Sequence, residues 1–212
     1  MNKKQLIFIN VILFVSCIFY YCLTSNSNND VITKTVSNTV IANPQSPTVP
    51  DLETPSIEEL IESRYKFYNI SLTKTEQITI QDEANKYNIS YELVLAIIKV
   101  ESDFNHNAIS NTNDYGIMQM NSSTFVWCSS QLGIENANPL DFETNIKCGI
   151  FYLDYIRDYW VKYGTPEEYL LMHLCHGYHR GIKGTLDSLE NGTYDMEYVN
   201  KVLNYKYSLE ME

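Results

Sequence analysis

The chain has 212 residues, of which 44% are apolar, so it can form one globular domain with a substantial core and shorter appendages. Its formal net charge is −11 at pH 7, which argues against nucleic acid as a partner because phosphate contacts need a basic surface. The same charge opposes approach to a strongly anionic polymer at low ionic strength.

The first 23 residues are predicted to be a membrane anchor or a signal peptide. Lys3 and Lys4 precede a nearly unbroken apolar run over residues 6–23. A run of about 18 residues is long for a cleaved signal and just long enough to span a bilayer. Because the positive charges come first, the rest of the chain is expected outside the cytoplasm. An uncleaved anchor, cleavage near Ser25 and lipid attachment at Cys17 remain as alternatives.

Residues 24–56 are rich in Ser, Asn, Thr and Pro and carry no periodic apolar pattern, which predicts a disordered, extended linker. Residues 57–212 are predicted to form one folded domain that is all-α apart from a short hairpin around residues 110–120. The predicted helices cover residues 57–68, 75–87, 91–101, 124–131, 142–163, 166–175 and 196–209.

The helix over residues 91–101 places a carboxylate on its apolar face. If Ser90 is the N-cap, then Val94, Ile97, Ile98 and Glu101 recur at i, i+3, i+4 and i+7, which is one stripe of an α-helix. A carboxyl group held against aliphatic side chains is desolvated, so its pKa rises and it can stay protonated near neutral pH. Glu101 is therefore a candidate general acid, although a structural ion pair would also explain it.

Several short motifs follow this helix in register. Glu101-Ser102 is followed by Gly116-Ile117-Met118-Gln119, then by Asn145-Ile146 with Gly149 and Tyr152-Leu153. Further on come Tyr178-His179-Arg180-Gly181 and Tyr198-Val199 with Val202-Leu203. These motifs strongly resemble those of the soluble lytic transglycosylase family, relatives of goose-type lysozyme, over roughly residues 75–207. The chain departs from the family in one motif, where His179 replaces an expected Asn.

The resemblance implies a lysozyme-like fold and a peptidoglycan lytic transglycosylase. Such an enzyme cleaves the β-1,4 bond between N-acetylmuramic acid and N-acetylglucosamine and leaves a 1,6-anhydro end. One glutamate, here Glu101, would first protonate the glycosidic oxygen and then accept the proton of the attacking C6 hydroxyl. The implied partners are peptidoglycan glycan strands. The apolar run separately predicts contact with the membrane through residues 6–23, and cell-envelope machinery is an expected partner under the non-catalytic alternative given below. No cofactor is expected.

The resemblance also implies roles for ten further residues. Tyr178 would orient Glu101 through a hydrogen bond, Met118 and Met120 would offer an apolar surface to a sugar, and Gly116 would allow close approach of the sugar or a positive φ. The expected substrate-binding residues are Ser110, Gly116, Met118, Gln119, Met120 and Tyr178. The expected supporting residues are Ser102, Asn145, His179 and Tyr198, with Asn145 bracing the core and Tyr198 on a helix packed under the cleft.

The sequence also allows other interpretations of the site. Asp103 and Asp114 are rivals for a second catalytic carboxylate, and an Asp114 that faced Glu101 would favour plain hydrolysis, as in true lysozymes. His179 favours a non-catalytic cell-wall module of a secretion or conjugation assembly. A metal site built from His173, His176 and His179 is a further alternative, although these residues drift around a helix and converge poorly on one ion.

The cysteines do not decide the redox state of the exported domain. Cys128, Cys148 and Cys175 are an odd number, so they cannot all pair within one molecule. A disulfide between Cys128 and Cys148 and three free buried thiols are both compatible with the spacing.

Overall fold

Seven helices and one short hairpin are found in residues 55–212, the part of the chain that the computed structural model describes. The helices are α1 (Ile57–Arg64), α2 (Lys74–Lys86), α3 (Tyr91–Ser102), α4 (Ser122–Gln131), α5 (Phe142–Tyr163), α6 (Glu167–Asn191) and α7 (Met196–Glu210). Strands β1 (Asp114–Tyr115) and β2 (Met120–Asn121) pair antiparallel between α3 and α4. The predicted all-α class with a short hairpin is therefore confirmed for this part of the chain.

The predicted anchor over residues 1–23 and nearly all of the predicted linker over residues 24–56 lie outside the described residues. Within residues 55–212, every helix is too short or too polar to cross a bilayer.

Side-chain caps explain where six of the seven helices in residues 55–212 begin, the exception being α6. Ser56 and Thr73 each form a capping box with the glutamate three residues later, and Ser90 accepts the Leu93 N–H at the start of α3. Asp141 caps α5 in the same way, and Gly164 ends that helix with φ 84°. These local signals account for the close agreement between predicted and observed bounds of α2, α3 and α5.

Helix α3 forms the centre of the domain. Val94, Leu95, Ala96, Ile97 and Ile98 are all fully buried, so the helix is enclosed on all sides instead of along one stripe. It packs mainly against α7 and also against α2, while α5 packs against α2, α4 and α6. Glu101 lies in the last turn of this central helix, where the core meets the surface.

Two predicted helix bounds were wrong. Helix α1 ends at Arg64, because the backbone of Tyr68 is instead bonded to the side-chain amide of Gln77. Helix α6 continues past Cys175 to Asn191, with a break at Gly181, where φ is 71° and ψ is 164°. Residue 177, inside α6, is a glycine because α5 passes so closely that a Cβ there would lie 2.8 Å from Ile156 Cγ2.

Candidate active site

Glu101 faces a cleft of about 520 Å³. The cleft is lined by the end of α3, the hairpin and the loop before it, the first turn of α4, and residues of α5 and α6. A larger cavity of about 810 Å³ lies between α4 and the loop after it, but Glu135 is its only acidic lining residue. The smaller cleft is therefore the candidate site, since it combines a half-buried acid with further polar groups.

The electrostatics of Glu101 are those of a general acid. Burial raises the pKa of its carboxyl group to about 7. A hydrogen bond from the Tyr198 hydroxyl to Glu101 Oε1, 2.6 Å long, opposes this rise, and the nearby negative charge of Asp114 adds to it. A large fraction of Glu101 thus carries its proton at neutral pH.

The hydrogen bond that orients Glu101 comes from Tyr198, so its assignment to Tyr178 was wrong. Tyr178 lines the same cleft, but its hydroxyl donates to the backbone carbonyl of Met118 at 2.8 Å. Tyr198 is buried and Tyr178 is half-buried, and burial holds the pKa of each well above its usual value, so both hydroxyls remain donors. Tyr198 reaches Glu101 because it occupies the first turn of α7, the helix that packs along α3.

His179 lies against the tyrosine that holds the acid. Its ring stacks on the Tyr198 ring at a centroid distance of 4.3 Å and an interplanar angle of 11°. Its Nε2 is 3.7 Å from Asp195 Oδ2, and burial lowers the pKa of the imidazole. The residue that departs from the family motif therefore contacts Tyr198 and lines the cleft.

Met118 and Gly116 do not face the cleft as the resemblance implied. Met118 is fully buried and packs on Gly149, where a Cβ would lie 2.3 Å from Met118 Sδ. Gly116 has φ 77°, and a Cβ there would lie 2.4 Å from both Asn145 Nδ2 and the Pro139 carbonyl oxygen. Gly116 is therefore needed for its conformation and for close protein packing. Met120 is 2% exposed, yet it does line the cleft.

Ser110 shapes the loop beside the cleft and does not line the cavity itself. Its Oγ donates to Asp114 Oδ2 at 2.8 Å and accepts the N–H groups of Thr112 and Asp114. Asp114 does line the cleft. Burial pushes the pKa of Asp114 up, but hydrogen bonds from Thr112, Ser110 and Asn121 outweigh burial and hold the pKa below its usual value. The cleft thus holds a second carboxylate that is ionised at neutral pH.

Three side chains hold the segment 116–119 in place. Ser102 Oγ donates to the Ile117 carbonyl at 2.6 Å, which ties the end of α3 to this segment. Gln119 lines the cleft, and its Nε2 donates to the carbonyls of Ala108 and Gly116. Asn145 is buried on α5; its Oδ1 accepts the Met118 N–H, and its Nδ2 donates to the carbonyls of Tyr115 and Pro139.

A histidine metal site and a catalytic role for Asp103 find no support in the described residues. Within residues 55–212, no group of three His, Cys, Asp or Glu side chains could hold a metal ion. Both ring nitrogens of His176 have partners, since Nε2 accepts the Asp195 N–H and Nδ1 contacts Thr185 Oγ1. Asp103 ends α3 as an exposed C-cap paired with Lys99, away from the cleft lining.

The three cysteines of the domain are Cys128, Cys148 and Cys175, and all are free and buried. Burial raises the pKa of each thiol, to about 12, 11 and 12 respectively. The disulfide considered between Cys128 and Cys148 is therefore not formed, and the thiols act as core residues.

Comparison with solved structures supports the lysozyme-like fold. An inactive mutant of lytic transglycosylase Slt from Pseudomonas aeruginosa is 22% identical with a TM-score of 0.51, covering 61% of this chain and 23% of that one. The 70 kDa soluble lytic transglycosylase of Escherichia coli is 21% identical with a TM-score of 0.52, covering 70% and 25%. A complex of the 70 kDa enzyme with bulgecin A is 20% identical with a TM-score of 0.54, covering 73% and 26%.

These similarities show a common fold, and this chain spans about a quarter of the length of each matched structure. The family model described as the transglycosylase SLT domain matches residues 78–191, which is more than half of the 212 residues. Its match includes Glu101 and Tyr178 and ends before Tyr198. On this evidence the chain belongs to the transglycosylase SLT domain family.

Proposed function

We propose that this domain is a peptidoglycan lytic transglycosylase, which cleaves the β-1,4 bond between N-acetylmuramic acid and N-acetylglucosamine and forms a 1,6-anhydro end. The observation that carries the proposal is the position of Glu101, a half-buried carboxyl group at an open cleft, where burial raises its pKa to about 7. Membership of the SLT domain family supports the same reaction class.

Glu101 would act twice in this reaction. In its protonated form it donates its proton to the glycosidic oxygen, so the bond to the anomeric carbon breaks and the leaving sugar departs as an alcohol. The resulting carboxylate then accepts the proton of the C6 hydroxyl as that oxygen bonds to the anomeric carbon. No water is consumed, and Glu101 ends in its original protonated form.

Tyr198 would keep the acid in position through both steps. Its hydroxyl donates to Oε1 at 2.6 Å, which orients the carboxyl group. The same hydrogen bond stabilises the carboxylate that remains after the first proton transfer. Because Tyr198 occupies only one oxygen, the other is available to the substrate.

Hydrolysis is the second candidate, and Asp114 is the observation that favours it. Its carboxylate lines the cleft with Glu101 and raises the pKa of the acid. An ionised carboxylate across the scissile bond could activate a water molecule, as inverting glycosidases do. Three hydroxyl and amide donors already bind Asp114, which reduces its basicity and favours the transglycosylase assignment.

The cellular setting follows from the proposed substrate. Peptidoglycan strands lie outside the cytoplasm, so we infer that the domain acts there, either anchored through residues 6–23 or secreted to the cell wall. The non-catalytic alternative rested on His179, but His179 leaves both Glu101 and its hydrogen bond in place. Other components of a cell-envelope assembly would then be partners of an active enzyme.

Mass spectrometry of purified peptidoglycan after digestion tests the proposal. We expect 1,6-anhydro ends from the wild-type protein and no new ends from Glu101→Gln. Reducing ends without anhydro product, abolished by Asp114→Asn, would establish the hydrolase instead. Intact strands after prolonged incubation with the wild-type protein would refute both enzymatic assignments.

A further inference from the structure

Three aromatic side chains form a surface next to the cleft that the proposed chemistry does not use. Trp127 comes from α4, and Tyr152 and Tyr155 come from α5; we call these three residues the aromatic shelf. Thr124 and Trp127 are three residues apart on α4, as Tyr152 and Tyr155 are on α5, so each pair shares one helix face. Together with Ser123 these residues line a cavity of about 220 Å³.

The aromatic shelf is continuous with the cleft that holds Glu101. Thr124 and Tyr152 line both cavities. The Tyr152 ring is 5.8 Å from the ring of Tyr178 in the cleft and 6.3 Å from the ring of Tyr155 on the shelf. A polymer lying in the cleft can therefore extend onto the shelf without crossing another element.

The shelf is both exposed and preformed. Trp127 is 36% exposed and Tyr155 is 41% exposed, so part of each ring is open to a ligand. The two rings meet edge to face at 4.8 Å, and the Trp127 ring also packs against the Phe151 ring at 5.7 Å. These contacts fix the orientation of the rings before any ligand arrives, which lowers the entropic cost of binding.

The chemistry of the shelf fits a neutral sugar ring. All its lining side chains are aromatic or hydroxyl-bearing, and none carries a charge. A pyranose has an apolar face of C–H groups that can lie on an aromatic ring, and hydroxyls at its edge that can bond to Ser123, Thr124 or the tyrosines. An anionic peptide would find no cation among these lining residues.

We propose that the aromatic shelf binds one further pyranose ring of the glycan strand whose scissile bond lies at Glu101. This proposal rests on the proposed function for the identity of the polymer. It adds a binding site for the strand beyond the cleft, and it makes affinity depend on the number of sugar rings.

Tryptophan fluorescence can report occupancy of the shelf directly. The chain has two tryptophans, and Trp160 is fully buried, so a change in emission caused by a ligand must come mainly from Trp127. Glu101→Gln prevents turnover, and linear N-acetylglucosamine oligomers of two to six rings serve as probes. We expect a saturable change in emission with six rings and none with two, and we expect Trp127→Phe in the same background to remove it.

Tyr155→Ala should weaken binding of the six-ring oligomer about tenfold, and Tyr155→Leu should do so as well, because both remove the ring. Tyr169→Ala is the matched control, since Tyr169 is a 49% exposed tyrosine outside the lining of either cavity. Calorimetry measures all three affinities, and thermal unfolding confirms that the variants fold. Equal affinities for the Tyr155 and Tyr169 variants, or an unchanged Trp127 emission at saturating oligomer, would overturn the proposal.

The outcome for the shelf can be separated from the outcome for the enzyme. Shelf-dependent binding without cleavage of peptidoglycan would refute the proposed function and leave the sugar site in place. Cleavage of peptidoglycan with no dependence on Trp127 or Tyr155 would refute the shelf and leave the enzyme.

Discussion

The two walls of the cleft are built differently. The near wall, residues 90–121, is one continuous stretch that contains α3 and the hairpin, and hydrogen bonds within the stretch, such as that from Ser102 to Ile117, join its parts. The far wall, residues 178–198, approaches through helix packing and places Tyr198 against Glu101 across 97 positions of sequence. Burial is the largest influence on the pKa of Glu101, and the far-wall hydrogen bond is a smaller, opposing one.

Thus the near wall supplies the acid, and the far wall adjusts the pKa of that acid. Removing the acid should therefore have the largest effect. Loosening the support of the near wall should have an intermediate effect, and removing the far-wall hydrogen bond should have the smallest.

Replacing the acid is expected to cause the largest change. Glu101→Gln should reduce turnover of peptidoglycan by about a thousandfold, because a positioned general acid and base contributes roughly that factor. Asp103→Asn is the matched control: it removes an exposed carboxylate from the same wall, and activity should stay within about twofold. Turbidity of purified sacculi gives the rates. Comparable losses in both variants would mean that Glu101 has no special place in the near wall.

Glu101→Gln should also stabilise the fold at high pH. The folded-state pKa of Glu101 is about 7 and its usual value is 4.5, so the folded protein holds a proton between these pH values that the unfolded chain has lost. Stability from this group is fully present below pH 4.5 and is lost as the pH rises through 7, a cost of about 3 kcal/mol. Glu101→Gln avoids that cost.

Urea unfolding of both proteins from pH 4 to pH 8 measures this difference. We expect equal stabilities near pH 4 and a variant more stable by up to about 3 kcal/mol at pH 8. A difference that does not vary with pH would show that burial does not shift the acid.

Support of the near wall depends on Asn145. Asn145→Ala leaves the Met118 N–H and the carbonyls of Tyr115 and Pro139 without their side-chain partner, which should destabilise the fold by about 2 kcal/mol. Asn107→Ala, at an exposed position of the neighbouring loop, should stay within about 0.5 kcal/mol of wild type. Equal unfolding midpoints for the two variants would contradict a supporting role for Asn145.

The difference between the two walls explains how much of the site could be predicted from the sequence. Glu101 was found because an apolar period of 3.6 residues and the cap at Ser90 are local signals. The bounds of α5 were found for the same reason. Met118 was misread because its motif places it beside the acid, whereas only the packing against Gly149 shows that it points into the core.

The side-chain contacts of the far wall could not be predicted from the local sequence pattern. A sequence shows that Tyr178 and Tyr198 both belong to motifs, but it does not show which hydroxyl reaches a residue nearly one hundred positions away. That choice depends on how α7 packs against α3, which is a property of the assembled core. The break in α6 at Gly181 could not be predicted from local pattern either, because Gly177, four residues earlier, is also a glycine and remains helical.

A pair of tyrosine variants is expected to give the smallest effect. Tyr198→Phe removes the hydrogen bond that lowers the pKa of Glu101, so the alkaline limb of the activity profile should move up by about one pH unit. Tyr178→Phe removes a bond to the Met118 carbonyl and should leave that limb in place. A shift with Tyr178→Phe alone would reverse the roles assigned to the two tyrosines.

The charge state of Glu101 is the claim on which this account depends most. Carbon-13 NMR of protein labelled at glutamate carboxyl carbons can follow its titration, and the resonance that Glu101→Gln removes identifies the group. The account predicts a titration midpoint near pH 7 for this resonance. A midpoint below pH 5 would show an ordinary solvated carboxylate and would contradict a general acid at this position.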